Sequence, residues 1–317
     1  MKLVVGGLNG FVGSNTTEAL VQLGHDCVVT RHKDAETPQF LEKYLEKHVF
    51  VEQADATNFE DMQRIGQKHK IDTIINVGGG FKVEGAGPLP GFKGYSDMLH
   101  ATFKLAQEWK VNRVVMSSTG GMYVGAQGSG SEDQPVQLQN PFPFGILSYQ
   151  KIVEVAMCEF AKASRISSVC VRLMGMYGPN QDPSQSSLPQ RLAYAAVTGK
   201  SPDLQNLFFG SADDEVDLLY IKDVARAIAL VATAEKLQYN VYNIASGRVV
   251  PNRELVNAIK SIVPGFNVAL QPGQTPFPPL PIIDTKRLQA DTGFTPKYDL
   301  QSAVRDYVSW LKAGNQK

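Results

Sequence analysis

The chain has 317 residues, 43% of them hydrophobic, and its 31 Lys+Arg offset its 31 Asp+Glu. That length suits one large α/β domain or a nucleotide-binding domain with a smaller lobe, and the zero formal charge argues against nucleic acid or an acidic membrane surface as partner. Cys27, Cys158 and Cys170 lie far apart with no CxxC, the LVV run stops at Gly6, too short for a signal peptide, and no later run could span a membrane, so a reducing, cytoplasmic setting is expected.

KLVVGG, a β-branched run closed by glycines, predicts a buried strand. GLNGFVG follows, with Gly7, Gly10 and Gly13 three apart, then a helical pattern through Leu20, Val21 and Leu23 that ends near Gly24. Strand, glycine turn and helix form the first unit of a dinucleotide-binding fold. Glycines let the backbone reach a pyrophosphate, and the helix N-terminus offers N–H donors and positive dipole. The spacing is GxxGxxG rather than GxGxxG, with the same mechanics; the plainer reading is a tight βα turn without a ligand.

A second strand, Cys27 to Thr30, runs into Arg31, His32 and Lys33. An acid there would bind the ribose 2′-hydroxyl of NAD. Basic groups suit a 2′-phosphate, so NADP is expected ahead of NAD, against a plain solvated turn. HVFVEQAD predicts a third strand ending in Asp55, an acceptor for an adenine amino group, a cap for the helix that begins near Asn58, or both. KIDTIINVGGG predicts a fourth, running into Gly78, Gly79 and Gly80, where missing side chains suggest backbone crowded by cofactor. NRVVMSSTGGMY predicts a fifth, ending in Ser117, Ser118 and Thr119. Hydroxyls at the carboxyl end of a parallel strand sit where such sheets bind ligands, or else they cap a loop.

SSVCVRLMGMYGP predicts a sixth strand leading into a Pro/Ser/Gln-rich loop, GPNQDPSQSSLP, of the kind that covers a pocket or moves. LPQRLAYAAVTG reads as a helix with a glycine stop, and VPNRELVNAIKSIVPG as another with Asn252 as candidate N-cap. DLQSAVRDYVSWL closes the chain as an amphipathic helix with Val304, Tyr307, Val308 and Leu311 on one face. The five histidines form no HxxxH or HxH set, and no GxSxG appears, so neither a metal centre nor a serine nucleophile is expected.

Taken together, GGLNGFVG, Asp55, SSTGGMY, RLMGMYGP (Arg172 to Pro179), YIKDVARAIAL (Tyr220 to Leu230), NVYNIASG (Asn240 to Gly247) and the ending DTKRLQADTGFTPKYDLQSAVRDYVSWL resemble the extended short-chain dehydrogenase/reductase family, which includes the NAD(P)-dependent epimerase/dehydratase proteins. The similarity covers nearly the whole chain in order. It implies an α/β fold: a Rossmann doubly wound parallel sheet with a small C-terminal substrate lobe. The core would span 1–175 and the lobe mainly 176–317, with segments near 215–245 returning to the core. A homodimer through helices near 92–109 and 148–163 is common in the family. The resemblance implies cofactor contacts from Gly7, Asn9, Gly10, Phe11, Val12, Gly13, Arg31, His32, Asp55, Ala56, Val77, Gly78, Gly79, Ser117, Lys151 and Leu173. The family's catalytic Ser/Thr, last of a hydroxyl triplet, falls on Thr119.

The family's catalytic tyrosine belongs to YxxxK on a helix, where the lysine one turn on lowers the phenol pKa and holds the nicotinamide ribose. Here the stretch is FGILSYQK, Phe144 to Lys151. Tyr149 and Lys151 are two apart, which sets them roughly 200° apart around a helix. If Lys151 is the family lysine, the tyrosine position holds Leu147; if Phe144 is the tyrosine position, the lysine position holds Ser148. Three readings stay open: Tyr149 is the acid through an irregular helix start, another hydroxyl such as Tyr123 or Thr119 serves, or the chemistry is absent. The catalytic set expected is Thr119, Tyr149 and Lys151.

Sugar-nucleotide members commonly place an Asn where this chain has Gly175 and an Arg where it has Val216, beside Asp217. A diphosphate needs donors and positive charge, and neither residue supplies them, although Arg191, Lys200 and Arg253 could compensate. Phe81, Phe92, Leu173, Met174, Met176 and Tyr177 suggest a smaller or apolar small-molecule substrate, against the plainer view of methionines as core. The expected function is an NADP-dependent oxidoreductase moving hydride between nicotinamide and a secondary alcohol or ketone. The alternatives are a nucleotide-sugar epimerase/dehydratase and a non-catalytic NAD(P)-binding protein.

Overall fold

The computed structural model describes residues 1–31, 36–78, 88–126, 128–135, 145–181, 187–205, 207–276 and 278–315, with backbone only at 88–89 and 145–146. The first half alternates strands and helices: β1 Lys2–Val5, α1 Phe11–Gln22, β2 Cys27–Arg31, α2 Gln39–Glu42, β3 Val49–Gln53, α3 Phe59–Lys68, β4 Thr73–Asn76, α4 Pro88–Glu108 and β5 Arg113–Thr119. A 3₁₀ turn, Gly120–Tyr123, precedes α5 Gly145–Ala163 and β6 Ser167–Leu173. The remainder holds β7 Met176–Tyr177, α6 Leu188–Thr198, β8 Glu215–Val216, β9 Leu219–Tyr220, α7 Ile221–Thr233 and β10 Val241–Ile244. Then come β11 Val250–Pro251, α8 Asn252–Ile262, α9 Lys286–Thr292 and α10 Leu300–Lys312.

Seven strands pair in parallel in the order β10-β6-β5-β4-β1-β2-β3. This is the doubly wound Rossmann sheet that the sequence predicts. Strands covered on both faces read as continuous apolar runs, and their side chains alternate between two cores. Val4, Val29, Ile75 and Val115 face one layer together with the buried sides of α1, α7, α8 and α10. Leu3, Val28, Ile74 and Val114 face the other, against α3, α4 and α5. Late in the chain, β10 joins the sheet edge beside β6, with Val241 opposite Cys170, and α7 packs on α1. Two small pairs, β7–β9 and β8–β11, stand outside the main sheet.

Two capping expectations change. Asn58, not Asp55, caps α3: its Oδ1 accepts from Asp61 N at 3.1 Å, while Asp55 Oδ1 accepts from Thr57 N at 2.8 Å in the turn just before. Asn252 is the first residue of α8 rather than its cap. Its amide donates instead to the carbonyls of Phe209 and Ser211, at 2.8 and 2.9 Å, and so holds that loop. The amphipathic reading of α10 stands, with Val304, Tyr307, Val308 and Leu311 all buried. Among the described residues, no helix is long and apolar enough to cross a membrane.

Candidate active site

The strand order reverses between β1 and β4, and in such sheets the crevice beyond the carboxyl ends at that point receives ligands. β1 runs into Gly6, and β4 runs through Val77 into Gly78. Gly6 has φ +72°, and a Cβ on it would stand 3.3 Å from Gly78 Cα. The chain then folds back on itself: Gly10 N donates to Gly6 O at 3.1 Å. A Cβ at Gly10 or Gly13 would meet that same oxygen at 2.6 or 2.2 Å, and one at Gly7 would meet Val4 Cβ at 2.8 Å. The three glycines are therefore demanded by backbone packing. Thr17 Oγ1 closes the turn by donating within reach of Gly7 O and Gly13 O, at 3.0 and 2.9 Å.

The turn delivers α1 with Gly10 at its N-cap, no side-chain cap and no acidic residue in the first turn. Uncapped N–H groups and the positive helix end there suit a pyrophosphate. Asn9 is exposed at the tip, and Phe11 and Val12 are half-buried. Thr30, buried at the end of β2, accepts from Gly6 N at 2.8 Å and so ties the second strand to the turn. Arg31 follows, half-buried, and its Nε is buried without a hydrogen bond among the described residues. Asp55 and Ala56 line the end of β3, and Val77 and Gly78 the end of β4. His32, Gly79 and Phe81, also expected at the site, lie outside the described residues.

On the other side of the crevice, β5 sends successive hydroxyls in alternate directions. Ser118 points into the core, donating to Glu154 Oε1 at 2.6 Å. Ser117 and Thr119 are half-buried, and Thr119 Oγ1 accepts from Gly121 N at 3.0 Å, capping the 3₁₀ turn. Among the described residues, the Thr119 hydroxyl donates to no acceptor. Leu147, on the first turn of α5, comes to the same place. A Cβ on Gly121 would touch Leu147 Cδ2 at 2.9 Å and Thr119 Oγ1 at 3.2 Å. Lys151 lies one turn further along the face of α5 that carries Leu147 and Glu154. It is half-buried, and burial moves its ammonium pKa down from the ordinary lysine value.

Tyr149 lies elsewhere. Its ring is buried and stacked on Tyr95, 5.1 Å between centroids, in the α4–α5 core with Met98, Val153 and Met157. The helix begins early and regularly, so the two-residue offset from Lys151 turns Tyr149 onto the α4 side. Tyr123 is also committed. Its hydroxyl donates to Asn243 Oδ1 at 2.9 Å and accepts from Arg172 Nη1 at 2.5 Å. Burial pushes its phenol up, against the pull of Arg172. Phe144 lies outside the described residues.

Under Thr119 runs a buried network that sequence inspection missed. Arg172 grips Glu154 through Nε and Nη2, at 2.8 and 2.7 Å, and both side chains are nearly sealed from solvent. Burial of Arg172 opposes its charge, but Glu154 more than compensates and raises its pKa. The segment after β7 was missed too. Asn180 Nδ2 donates to Asn9 O and Ser14 Oγ, at 3.1 and 2.8 Å, and Asn15 Nδ2 donates to Pro179 O at 3.1 Å, so the chain beyond β7 is stitched to the glycine turn.

Of the expected substrate wall, Met174 packs against Gly120 and Tyr123, beside Leu173 at the end of β6. Met176 is half-buried, and Tyr177 turns to Tyr220, 5.6 Å between centroids. Gly175 has φ +47°, and a Cβ there would lie 1.7 Å from Asp217 O. An asparagine at 175 is excluded by that carbonyl. Val216 lies in β8 paired with Val250. Among the described residues, no group of three or more His, Cys, Asp or Glu side chains could hold a metal ion.

The profile of the NAD dependent epimerase/dehydratase family matches residues 3–245. Among curated relatives, UDP-glucose 4-epimerase of Neisseria gonorrhoeae is 23% identical over 336 residues, covering 98% of this chain and 97% of that protein. UDP-glucose 4-epimerase of Lacticaseibacillus casei is 23% identical over 316 residues, covering 94% and 93%. Among solved structures, UDP-glucose 4-epimerase of Thermotoga maritima with UDP-glucose superposes with TM-score 0.79 at 21% identity, covering 99% of both chains. The dTDP-glucose 4,6-dehydratase of Bacillus anthracis in complex with NAD gives 0.78 at 19%, covering 99% of this chain and 97% of that one. The chain belongs to the NAD dependent epimerase/dehydratase family, a family of enzymes.

Proposed function

We propose that this member of the family binds a nicotinamide dinucleotide across the β1–β4 crevice and acts on a hydroxyl-bearing carbon of a sugar nucleotide. The observation that carries the cofactor half is the uncapped α1 N-terminus, reached through a turn in which a Cβ at Gly13 would lie 2.2 Å from Gly6 O. The names of the relatives support the sugar-nucleotide reading over the secondary alcohol or ketone expected from sequence. Gly175 limits it: the diphosphate has to be held by groups other than a side chain at 175.

The dinucleotide, when bound, supplies the hydride acceptor or donor. Gly7, Asn9, Gly10, Phe11, Val12 and Gly13 would hold its pyrophosphate, with Asp55 and Ala56 at the adenine, and Val77, Gly78, Ser117, Lys151 and Leu173 toward the nicotinamide end. Arg31 favours a 2′-phosphate, so NADP is proposed ahead of NAD. Thr119 donates to the substrate oxygen. Leu147 occupies the place that YxxxK gives to tyrosine, and a leucine moves no proton. Glu154 on the same face is taken up by Ser118 and Arg172, which leaves Lys151, with its pKa lowered by burial, as the proposed acid/base.

A second reading is favoured by Leu147 itself: the protein binds cofactor and substrate with little or no turnover. Calorimetric titration with NAD⁺ and NADP⁺, followed by a thermal-shift panel of UDP- and dTDP-sugars, separates the two. A native-state ligand must raise stability, so the enzymatic reading expects a stabilising sugar nucleotide that is also turned over. A sugar nucleotide that stabilises the dinucleotide complex but is not turned over would leave only the second reading, and dinucleotide binding with no stabilising sugar nucleotide would count against both.

The division at about residue 175, a cytoplasmic location and a homodimer belong to the same proposal. The dimer reading draws on exposed Phe92, Ile152 and Val155 on α4 and α5, 51%, 43% and 65% exposed. Sedimentation of Val155→Glu as a monomer against a dimeric parent would support it.

A further inference from the structure

A cavity of about 350 Å³ lies between the end of β9 and the start of α10, and none of its lining residues comes from the glycine turn, β5 or α5. Its floor is Tyr177, 2% exposed and packed on Tyr220. A buried tyrosine hydroxyl ordinarily finds a partner. Tyr220 does, donating to Asp306. The Tyr177 hydroxyl has no hydrogen bond among the described residues, and Arg248 and Asp299, which line the same cavity, are the charges that act on it together with Asp223.

Two cations stand at the rim. Arg248 and Lys297 are exposed, and neither side chain forms an ion pair among the described residues, whereas Arg226, Arg253 and Arg287 each do. The one acid of the lining, Asp299, is occupied: its Oδ1 accepts from Ser302 N at 2.7 Å and caps α10. The loop carrying Arg248 is held in place, since Ser246 N and Gly247 N donate to the Asp217 carboxylate at 2.7 and 3.0 Å. Leu218, Val250 and Leu300 complete an apolar wall.

We propose that this cavity is a binding site for a small organic anion, a phosphomonoester or carboxylate carried on a ring. The anion sits between Arg248 and Lys297 and accepts from the Tyr177 hydroxyl, while the ring lies on the apolar wall. The inference stands apart from the dinucleotide reading and does not depend on it.

Calorimetry on the full chain, with and without saturating NADP⁺, tests it with three probes: phenyl phosphate, benzoate and inorganic phosphate. Phenyl phosphate or benzoate is expected to bind one to one, more tightly than inorganic phosphate, and the stronger of the two tells phosphomonoester from carboxylate. Arg248→Gln should weaken that probe about tenfold, and Tyr177→Phe by a smaller factor, since charged hydrogen bonds contribute more than neutral ones. Arg248→Gln should keep its melting temperature and its affinity for dinucleotide, which separates loss of the site from loss of the fold. No saturable binding of any probe, displacement by NADP⁺, or unchanged affinity in Arg248→Gln would each overturn the proposal.

Discussion

The two walls of the crevice are built on different terms. On the β1–α1 side, Gly7, Gly10 and Gly13 are each fixed by a backbone atom that a side chain would strike. On the β5–α5 side, the residues near Thr119 are fixed by side-chain packing: Leu147 against Gly121, and Glu154 between Ser118 and Arg172. A wall set by backbone sterics tolerates almost no change. A wall set by side chains can exchange a reactive group for an inert one and keep its shape, and in the proposed function Leu147 is such a group.

The contrast can be broken first at Gly13. Gly13→Val drives a side chain into Gly6 O, a backbone atom that cannot yield, and the expected result is a loss of about 4 kcal/mol or more together with dinucleotide binding. A soluble variant with parental affinity would mean that the turn is looser than its packing shows. Glu154→Ala comes next. It strands the buried Arg172 charge, and urea melts should show destabilisation of about 3–5 kcal/mol; a change under about 1 kcal/mol would remove the network from any role in holding β5 to α5.

Arg31→Ala is a smaller change. It should weaken NADP⁺ about tenfold to a hundredfold, the range for hydrogen bonds to a charged group, and leave NAD⁺ nearly untouched. Equal losses for the two dinucleotides would show that Arg31 does not read the 2′-phosphate.

The smallest effect is expected at Asp72, outside the crevice. Burial raises its pKa, but hydrogen bonds from Lys2, the N-terminal ammonium and Thr73 outweigh it and bring the value to about 2. A depressed carboxylate contributes stability above its unfolded pKa of about 3.9 and loses it as pH falls through the folded value. Asp72 is 37% exposed, so solvent screening holds the contribution of each pair to about 1 kcal/mol or less. The gap between parent and Asp72→Asn should be open at pH 7 and close between about pH 4 and pH 2. A gap that widens on acidification would contradict this.

Much of the first wall was legible in the sequence, because its constraints are local. A β-branched run, glycines three apart and a helical pattern can be read within a short stretch, and the continuous apolar strands follow from burial on both faces. The second wall depends on distant partners. Glu154 and Arg172 lie on different elements, and the amide of Asn180 meets Asn9 and Ser14 from the segment after β7, far along the chain. Helical geometry alone suffices to turn Tyr149 away from Lys151, but its stacking partner Tyr95 lies on another helix. Gly175 was legible as a missing donor. Its cause, the Asp217 carbonyl against it, comes from the β7–β9 pairing. Asn252 read as a cap by its residue type, and only the folded chain shows its amide spent on Phe209 and Ser211.

The most direct test of the central claim, that Leu147 fills the place of an acid/base between Thr119 and Lys151, needs no substrate. The phenol introduced by Leu147→Tyr is titrated by ultraviolet difference spectroscopy with dinucleotide bound, alone and combined with Lys151→Met. The account predicts a phenol that ionises below the ordinary value of about 10 and rises when the lysine is removed, because a nearby cation favours the phenolate. An introduced phenol that titrates at or above about 10 in both variants would contradict it.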